Sequence, residues 1–261
     1  MNFNKHTVAA CALMATAALT TTSNAHAKIT WSNNSVTLLT SQDYLNPFSQ
    51  QEGEGFVVTF ANAASYNWGK SFFFIDRFNT LEDDVLESSA YGELNLDFSL
   101  TKGQGFKEGP IKDIYLATTF EYAASPNVDN LLIGAAVRWR LPGYAWVDTG
   151  LYARNNGENK YGTEEKDNFH FASAWGIPFS LGNVKMSLEG FIDLHTSTET
   201  NTGNDVPMKI VLQPKIKMDV GALMGKGGVF YAGIEYDYRK NMYGVDGQDQ
   251  NAPQLFIELS L

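Results

Sequence analysis

The chain has 261 residues, a formal net charge of −10 and an aromatic content of 13%. The acidic balance argues against nucleic acid as a partner, because no basic patch is present to neutralise phosphates. After the N-terminal segment, no run approaches the ~18 apolar residues of a membrane-spanning helix. If the chain crosses a membrane, it therefore does so as a closed β-barrel.

Residues 1–27 have the pattern of a secretory signal peptide. Asn4-Lys5-His6 is a short basic start, Thr7 to Leu19 is an alanine-rich apolar run, and Ala25-His26-Ala27 fits the small-x-small cleavage signal. Cleavage removes one lysine and the single cysteine, which lowers the basic count from 19 to 18 against 29 acidic side chains. An exported chain without cysteine forms no disulfides, so its stability comes from packing or from the bilayer.

The remaining residues, 28–261, form one predicted domain of alternating segments separated by turn-rich joints. Each segment is near the ~10 residues that a tilted membrane strand requires, and helical periodicity is almost absent. The predicted strands, about twelve, are 28–40, 55–64, 70–78, 90–101, 111–123, 130–141, 143–154, 168–181, 183–194, 206–218, 227–239 and 251–261.

The stretch YGELNLDFSL at 91–100 shows the pattern most clearly. Glu93, Asn95 and Asp97 share one face of a strand, and leucines and a phenylalanine occupy the other. A soluble sandwich turns the leucines inward, whereas a membrane barrel turns them toward lipid and places the carboxylates in the lumen. Long polar joints alternate with short ones, and the chain ends on an alternating strand at 255–261. These features favour an all-β fold, an antiparallel transmembrane β-barrel.

If the apolar parity faces lipid, the other parity lines the lumen. Its charges include Glu93, Asp97, Arg138 and Arg140, so both signs are interspersed and no single-sign ring selects an ion. A barrel of about twelve strands is wider than the eight-stranded kind, whose side chains fill the interior. Aromatic rings beside charged groups suit a flat, polar, uncharged solute. The faces of 28–40, 55–64 and 70–78 stay unassigned by alternation alone.

The segment FANAASYNWGKSFFFID at 60–76 carries a resemblance to a known family. With YLNPF at 44–48 and the acidic loop leading into residue 91, it resembles the Tsx-like family of nucleoside-specific outer-membrane channels. The resemblance implies a monomeric twelve-stranded barrel in the bacterial outer membrane that passes nucleosides by passive diffusion. It also implies outer loops to which phages or bacteriocins attach. The final residue Leu261 departs from the phenylalanine usual in such barrels.

The resemblance also suggests site residues, because family channels hold nucleosides between lumenal aromatic and ionisable side chains. Parity places Phe72, Phe74 and Asp76 on one face, and we expect that face to be lumenal because an aspartate toward lipid is costly. The opposite assignment turns Phe73, Ile75 and Arg77 inward. The expected substrate-binding residues are Phe60, Asn62, Phe72, Phe74, Asp76, Glu93, Asp97, Arg138 and Arg140.

Three alternatives remain. One is a channel for other small solutes, or a loop-displaying barrel with a blocked lumen, and another is a soluble periplasmic binding module. The third is an outer-membrane phospholipase-like enzyme, a class in which a histidine activates a serine. His195-Thr196-Ser197, with a histidine and a serine two positions apart, suggests it. His195 shares the lumenal parity, whereas a lipid-cleaving site faces the bilayer. We therefore expect no enzymatic activity, no cofactor and no metal.

Overall fold

The structure, a computed structural model, describes residues 27–46, 49–82, 87–124, 127–157 and 164–261. All of the predicted signal peptide except Ala27 lies outside these ranges. Within them, no helix has both the length and the apolar character needed to cross a membrane.

The described chain is almost entirely β-structure. A one-turn α-helix (Val220–Leu223) and a 3-10 turn (Met242–Gly244) interrupt it. The strands are β1 (Ile29–Leu45), β2 (Glu52–Tyr66), β3 (Gly69–Thr80), β4 (Ser89–Ser99), β5 (Ile111–Ala124), β6 (Asn127–Trp139), β7 (Trp146–Asn155), β8 (Asn168–Leu181), β9 (Val184–His195), β10 (Thr198–Glu199), β11 (Asp205–Val206), β12 (Lys209–Asp219), β13 (Phe230–Lys240) and β14 (Gln250–Ser260).

Twelve of the described strands form one closed antiparallel barrel. Each pairs with its neighbours along the chain, β9 pairs with β12, and β10 and β11 form a separate two-stranded hairpin. The barrel closes where β1 lies against β14, with Ser35 opposite Ser260 and Thr40 opposite Leu255. Closure leaves none of the twelve described barrel strands with an unpaired edge. The twelve predicted segments correspond to the twelve barrel strands, so the predicted fold is confirmed.

The two ends of the barrel differ in the connections they carry. One end, the termini end, holds the start of β1 and the end of β14, and the other end, the loop end, is where β1, β3, β5, β7, β9 and β13 end. The predicted alternation of long and short joints holds only in part. Connections 100–110 and 220–229 at the termini end are long, and only two residues separate β5 from β6 at the loop end. At the short connection between β8 and β9, Gly182 has a φ of 61°, which favours glycine.

The outer surface of the barrel is an apolar band. Side chains of one parity project outward and are exposed at the surface that lipid covers. Those at least 40% exposed include Leu94, Leu116, Ile133, Leu151, Ile234 and Leu255. The leucines of the stretch at 91–100 therefore face lipid, as predicted.

The opposite parity faces the lumen and carries the charges. The pairing of the strands puts directly opposite residues on the same face, so buried Asp97, Glu121 and Asp237 identify the inner side of their neighbours. The inner residues that alternation had predicted include Tyr115, Tyr152, Arg154, His170, Glu189, Asp193, Lys215, Lys217 and Glu235.

Segments at the loop end hold one another beyond the rim of the barrel. The backbone N–H of Lys166 donates to the carbonyl of Glu199 in the β10–β11 hairpin at 2.8 Å. The two side chains form an exposed ion pair of 2.7 Å, and this hydrogen bond lowers the pKa of the Glu199 carboxyl below its ordinary value. Glu165 reaches Lys209 at the top of β12, with 2.6 Å between Oε2 and Nζ. Lys166 is thus anchored to the hairpin, and Glu165 is anchored to the barrel wall.

Candidate functional site in the barrel lumen

The pairing of β3 with β4 decides which face of β3 lines the lumen. Phe72 lies opposite Asn95 and Phe74 lies opposite Glu93, both on the inner face of β4. Backbone contact between the strands is close, since a Cβ added at Gly69 would lie 1.9 Å from the carbonyl oxygen of Asp97. The structure therefore places Phe72, Phe74 and Asp76 in the lumen, on the face that the cost of a lipid-facing aspartate had favoured.

Three rings on β3 and β4, which we call the aromatic row, follow one another along the lumenal wall. The ring centroids of Phe72 and Phe74 are 5.8 Å apart with an interplanar angle of 37°, and those of Phe74 and Tyr91 are 5.8 Å apart with an angle of 54°. On the β2 side, Ala61 and Ala63 lie opposite Phe74 and Phe72. Because those neighbours are small, Phe72 keeps 43% of its surface exposed to the lumen.

Two carboxylates border the aromatic row. Asp76 accepts a 2.5 Å hydrogen bond from the Thr59 hydroxyl. Glu93 accepts one of 2.6 Å from the Tyr91 hydroxyl and a longer one of 3.4 Å from the Asn95 amide. Every one of these donors is neutral, and both carboxylates keep acceptor positions available to a solute.

A cluster of charges crosses the lumen near the termini end. Lys70 on β3 places its ammonium 3.1 Å from Asp97 on β4 and 2.7 Å from Asp148 on β7. Since β4, β5 and β6 separate β3 from β7 along the wall, this second contact spans the interior. Arg138 binds the same Asp148 with two donors, at 2.9 and 2.6 Å. Asp97 and Arg138, predicted separately, thus belong to one network.

The inner faces of β5 to β7 are packed rather than exposed. Tyr115, Ala117, Leu132, Ala136 and Tyr152 form a buried apolar cluster, here called the packed side. Above it, Arg154 Nη2 binds Glu121 Oε2 at 2.7 Å, and the two side chains are only 8% and 3% exposed. Side chains therefore fill this sector of the barrel, and the neighbourhood of the aromatic row is the more accessible wall.

The chain was also compared with known proteins. A family model described as "Nucleoside-specific channel-forming protein, Tsx" matches residues 29–252. The chain belongs to this family. No relative was found among curated protein sequences.

Two solved structures have low similarity to this chain. A KdgM porin has a TM-score of 0.47 and 8% identity, over 87% of this chain and 99% of that one. OccAB3 of Acinetobacter baumannii has a TM-score of 0.41 and 7% identity, over 88% and 99%. Membership of the Tsx family, together with the closed barrel, identifies the protein as a channel of the bacterial outer membrane that takes small solutes.

Two predicted site residues of this Tsx-family channel lie outside the lumen. Phe60 is opposite Ile75 and Asn62 is opposite Phe73, both on the outer face of β3. The Phe60 ring lies 6.4 Å from that of Phe73, and Asn62 donates to Asn34 Oδ1 at 2.8 Å. The prediction that Phe60 and Asn62 line the lumen is wrong, because a shift of one residue along a strand moves a side chain to the other face.

Arg140 is also misplaced by the prediction. Strand β6 ends at Trp139, and the chain then turns out of the barrel wall. The Arg140 guanidinium donates to the carbonyl oxygens of Gly109, at 2.7 Å, and Phe106. Arg140 therefore holds the 100–110 connection at the termini end. The alternation of inward and outward side chains ends with the strand at Trp139, so it does not apply to Arg140.

Sequence reasoning missed two residues of the site. Tyr91 shares the parity of Glu93 in the stretch at 91–100, so alternation alone would have placed it in the lumen. Lys70 has the same parity as Phe72. Alternation alone did not assign the faces of β3, so Lys70 was not predicted to lie in the lumen. Its partner Asp148 was expected in the lumen, but its contact with β3 depends on the curvature of the whole barrel.

The histidine of the phospholipase alternative faces the lumen. His195 stacks on His170 with 4.4 Å between ring centroids, and His170 Nε2 lies 3.1 Å from Asp193. His195 therefore faces the lumen, as its parity in the sequence predicted. Within the described ranges, no group of His, Cys, Asp and Glu side chains has the arrangement of a metal site.

A second accessible region lies near the termini end, on the opposite wall. A cavity of about 220 Å³ is bounded by Lys185, Ser187, Glu189, Lys217 and Tyr231, among others. Lys217 is engaged by Glu258 at 2.9 Å and by Glu189 at 3.4 Å. The protein's own charges thus neutralise each other here more fully than they do beside the aromatic row.

Proposed function

We propose that the channel passes nucleosides by passive diffusion, with the base resting on the aromatic row. The observation that carries this proposal is the pair of lumenal rings, Phe72 and Phe74, bordered by Asp76 and Glu93. A base is flat and apolar on its faces, whereas a sugar presents hydroxyl donors. The family description supports the same solute class.

The two parts of a nucleoside match the two parts of the site. Stacking of a base on an aromatic side chain contributes ~1–3 kcal/mol, largely independent of which base it is. Hydroxyls of the sugar donate to Asp76 and Glu93, whose present donors leave acceptor positions available. Conduction requires such a site to release its solute readily, so affinity in the millimolar range is expected.

The same carboxylates disfavour phosphorylated solutes. A nucleoside monophosphate brings negative charge to a wall that already carries Asp76 and Glu93, and the sum of acidic side chains in the chain exceeds that of basic ones. We therefore propose that nucleosides pass and their monophosphates are retarded.

Single-channel current across a planar bilayer tests the proposal, with adenosine, thymidine, glucose and AMP added in turn. We expect both nucleosides to reduce the current at millimolar concentration, and glucose and AMP to have little effect. Phe72→Ala and Phe74→Ala should each weaken the nucleoside block about tenfold, as the loss of one stacking contact predicts.

Phe73→Ala is the matched control, since it removes the same ring from the same strand on the lipid-facing side. It should leave the block unchanged. Equal effects of Phe72→Ala and Phe73→Ala would contradict the proposed stacking site. Current that no solute reduces would reject nucleoside selectivity and leave a general solute channel.

A further inference from the structure

Aromatic rings elsewhere in this lumen already hold ammonium groups of the protein. Lys70 Nζ lies 4.9 Å from the centroid of the Tyr115 ring, Lys217 Nζ lies 4.4 Å from that of Tyr231, and Lys215 Nζ lies 5.8 Å from that of Phe256. These distances fall within the ~6 Å range in which a cation is attracted to the negative face of a ring.

The aromatic row has no such built-in cation. Within the described ranges, no lysine or arginine lies over the rings of Phe72, Phe74 or Tyr91. The bordering carboxylates also form no ion pair, because no described basic nitrogen lies within 4.0 Å of Asp76 or Glu93. This wall therefore offers the ring faces and the carboxylates of a cation site without the cation.

The surroundings of Glu93 are acidic on the other side as well. Glu121 lies directly opposite it on β5, and Asp193 also interacts with it electrostatically. Arg154 is bound to Glu121, and the His170 ring lies beside Asp193, while Lys215 and Arg239 interact electrostatically with Asp76. Acidic groups are therefore concentrated around Glu93, which forms no ion pair with a described basic side chain.

The wall next to the aromatic row carries small side chains. The inner faces of β1 and β2 beside the row carry small or hydroxyl side chains, Ser35, Thr37, Thr59, Ala61 and Ala63. Alkyl groups on nitrogen fit against such a surface without an unfavourable charge contact. An inorganic cation would gain less, since it would have to give up water to contact the rings.

We propose that the aromatic row, with Asp76 and Glu93, is a binding site for organic ammonium ions that carry an aromatic or alkyl group. Such solutes constitute a second substrate class of the channel. The inference shares the lumenal surface with the proposed function, yet it does not require that nucleosides bind.

The test uses block of single-channel current by benzyltrimethylammonium, which is permanently charged. Benzyl alcohol is the neutral comparison and phenylacetate the anionic one, and all three are measured at the same pH of 8.5. We expect benzyltrimethylammonium to block at a concentration about tenfold lower than benzyl alcohol, and phenylacetate to block least.

Glu93→Gln is the decisive variant, because the amide keeps the size of the side chain and removes its charge. It should reduce the tenfold difference between cation and alcohol to less than about twofold. Glu189→Gln is the matched control, since Glu189 is lumenal but lies on the other wall beside Lys217. It should leave the difference intact.

The outcomes separate this inference from the proposed function. Nucleoside block without preferential ammonium block overturns the inference and leaves the nucleoside proposal standing. Ammonium block without nucleoside block supports the inference and rejects the nucleoside proposal. An equal loss of ammonium block in Glu93→Gln and Glu189→Gln would show general lumenal charge instead of a site, and would also overturn the inference.

Discussion

The aromatic row and the packed side follow the same alternation of inward and outward side chains, but they differ in how exposed the inward side chains are. In both, inward-facing residues alternate with lipid-facing ones along neighbouring strands. Around Leu132 the inward residues are tyrosines, alanines and an ion pair that fill the space, and Leu132 is 1% exposed. Around Phe72 the neighbours are alanines and hydroxyls, and that ring is 43% exposed. The difference is that one sector of the lumenal wall is closely packed, whereas the other leaves an aromatic ring accessible.

The largest effect should come from the ion pair on the packed side. Arg154→Met removes the cation from Glu121 and leaves a buried carboxylate without its charged partner, which costs about 3–5 kcal/mol. Denaturant unfolding in lipid vesicles, followed by tryptophan fluorescence, measures the loss. Glu93→Gln serves as its control, because Glu93 has neutral hydrogen-bond donors only. Equal losses in the two variants would remove the distinction between the sectors.

Two large-to-small substitutions compare the sectors directly. Leu132→Ala opens a cavity in the buried cluster and should lower the free energy of unfolding by about 2–4 kcal/mol. Phe72→Ala removes a ring that is already 43% exposed and should cost only about 1–2 kcal/mol. The same unfolding measurement applies to both. A larger loss for Phe72→Ala than for Leu132→Ala would mean that the row is structural.

Lys70 connects the two sectors, because it extends from β3 across the lumen to Asp148. Lys70→Met should cost about 1–3 kcal/mol, since Asp97 loses its charged partner while Asp148 keeps Arg138. It should also raise the preference for cations over anions, measured as the reversal potential in a salt gradient. An unchanged reversal potential would indicate that the Lys70 cluster lies off the solute path.

The smallest effect should arise outside both sectors, at the exposed pair of Lys166 and Glu199. Lys166→Met should raise the pKa of the Glu199 carboxyl toward its ordinary value, which a titration followed by NMR detects. Because the folded pKa is lowered, the pair stabilises the fold above the ordinary glutamate pKa, and that contribution disappears as the pH falls through the lowered value. The exposure of the pair makes any change in stability too small to resolve. A pKa that does not move would show that the two side chains do not interact in solution.

Much of the barrel was predictable because its physical cause is local. Lipid on one face of a strand and water or charge on the other require apolar and polar residues to alternate with a period of two. This alternation is visible in the sequence from β4 onward. In β3, three consecutive phenylalanines at 72–74 hide it, since both faces look apolar. The family motif supplied Phe72 and Phe74 correctly as lumenal candidates, but it could not distinguish them from Phe60 and Asn62 without the register of β2 on β3.

The sequence by itself determined the strand number, the strand positions and the sides of the clearly alternating strands. Each of those properties depends on contacts between a side chain and its nearest solvent. The tertiary structure alone decided that Lys70 meets Asp148, that Arg140 leaves the wall, and that one sector is packed while another is accessible. Those properties depend on how strands distant in sequence curve around a common axis, and no local pattern records that curvature.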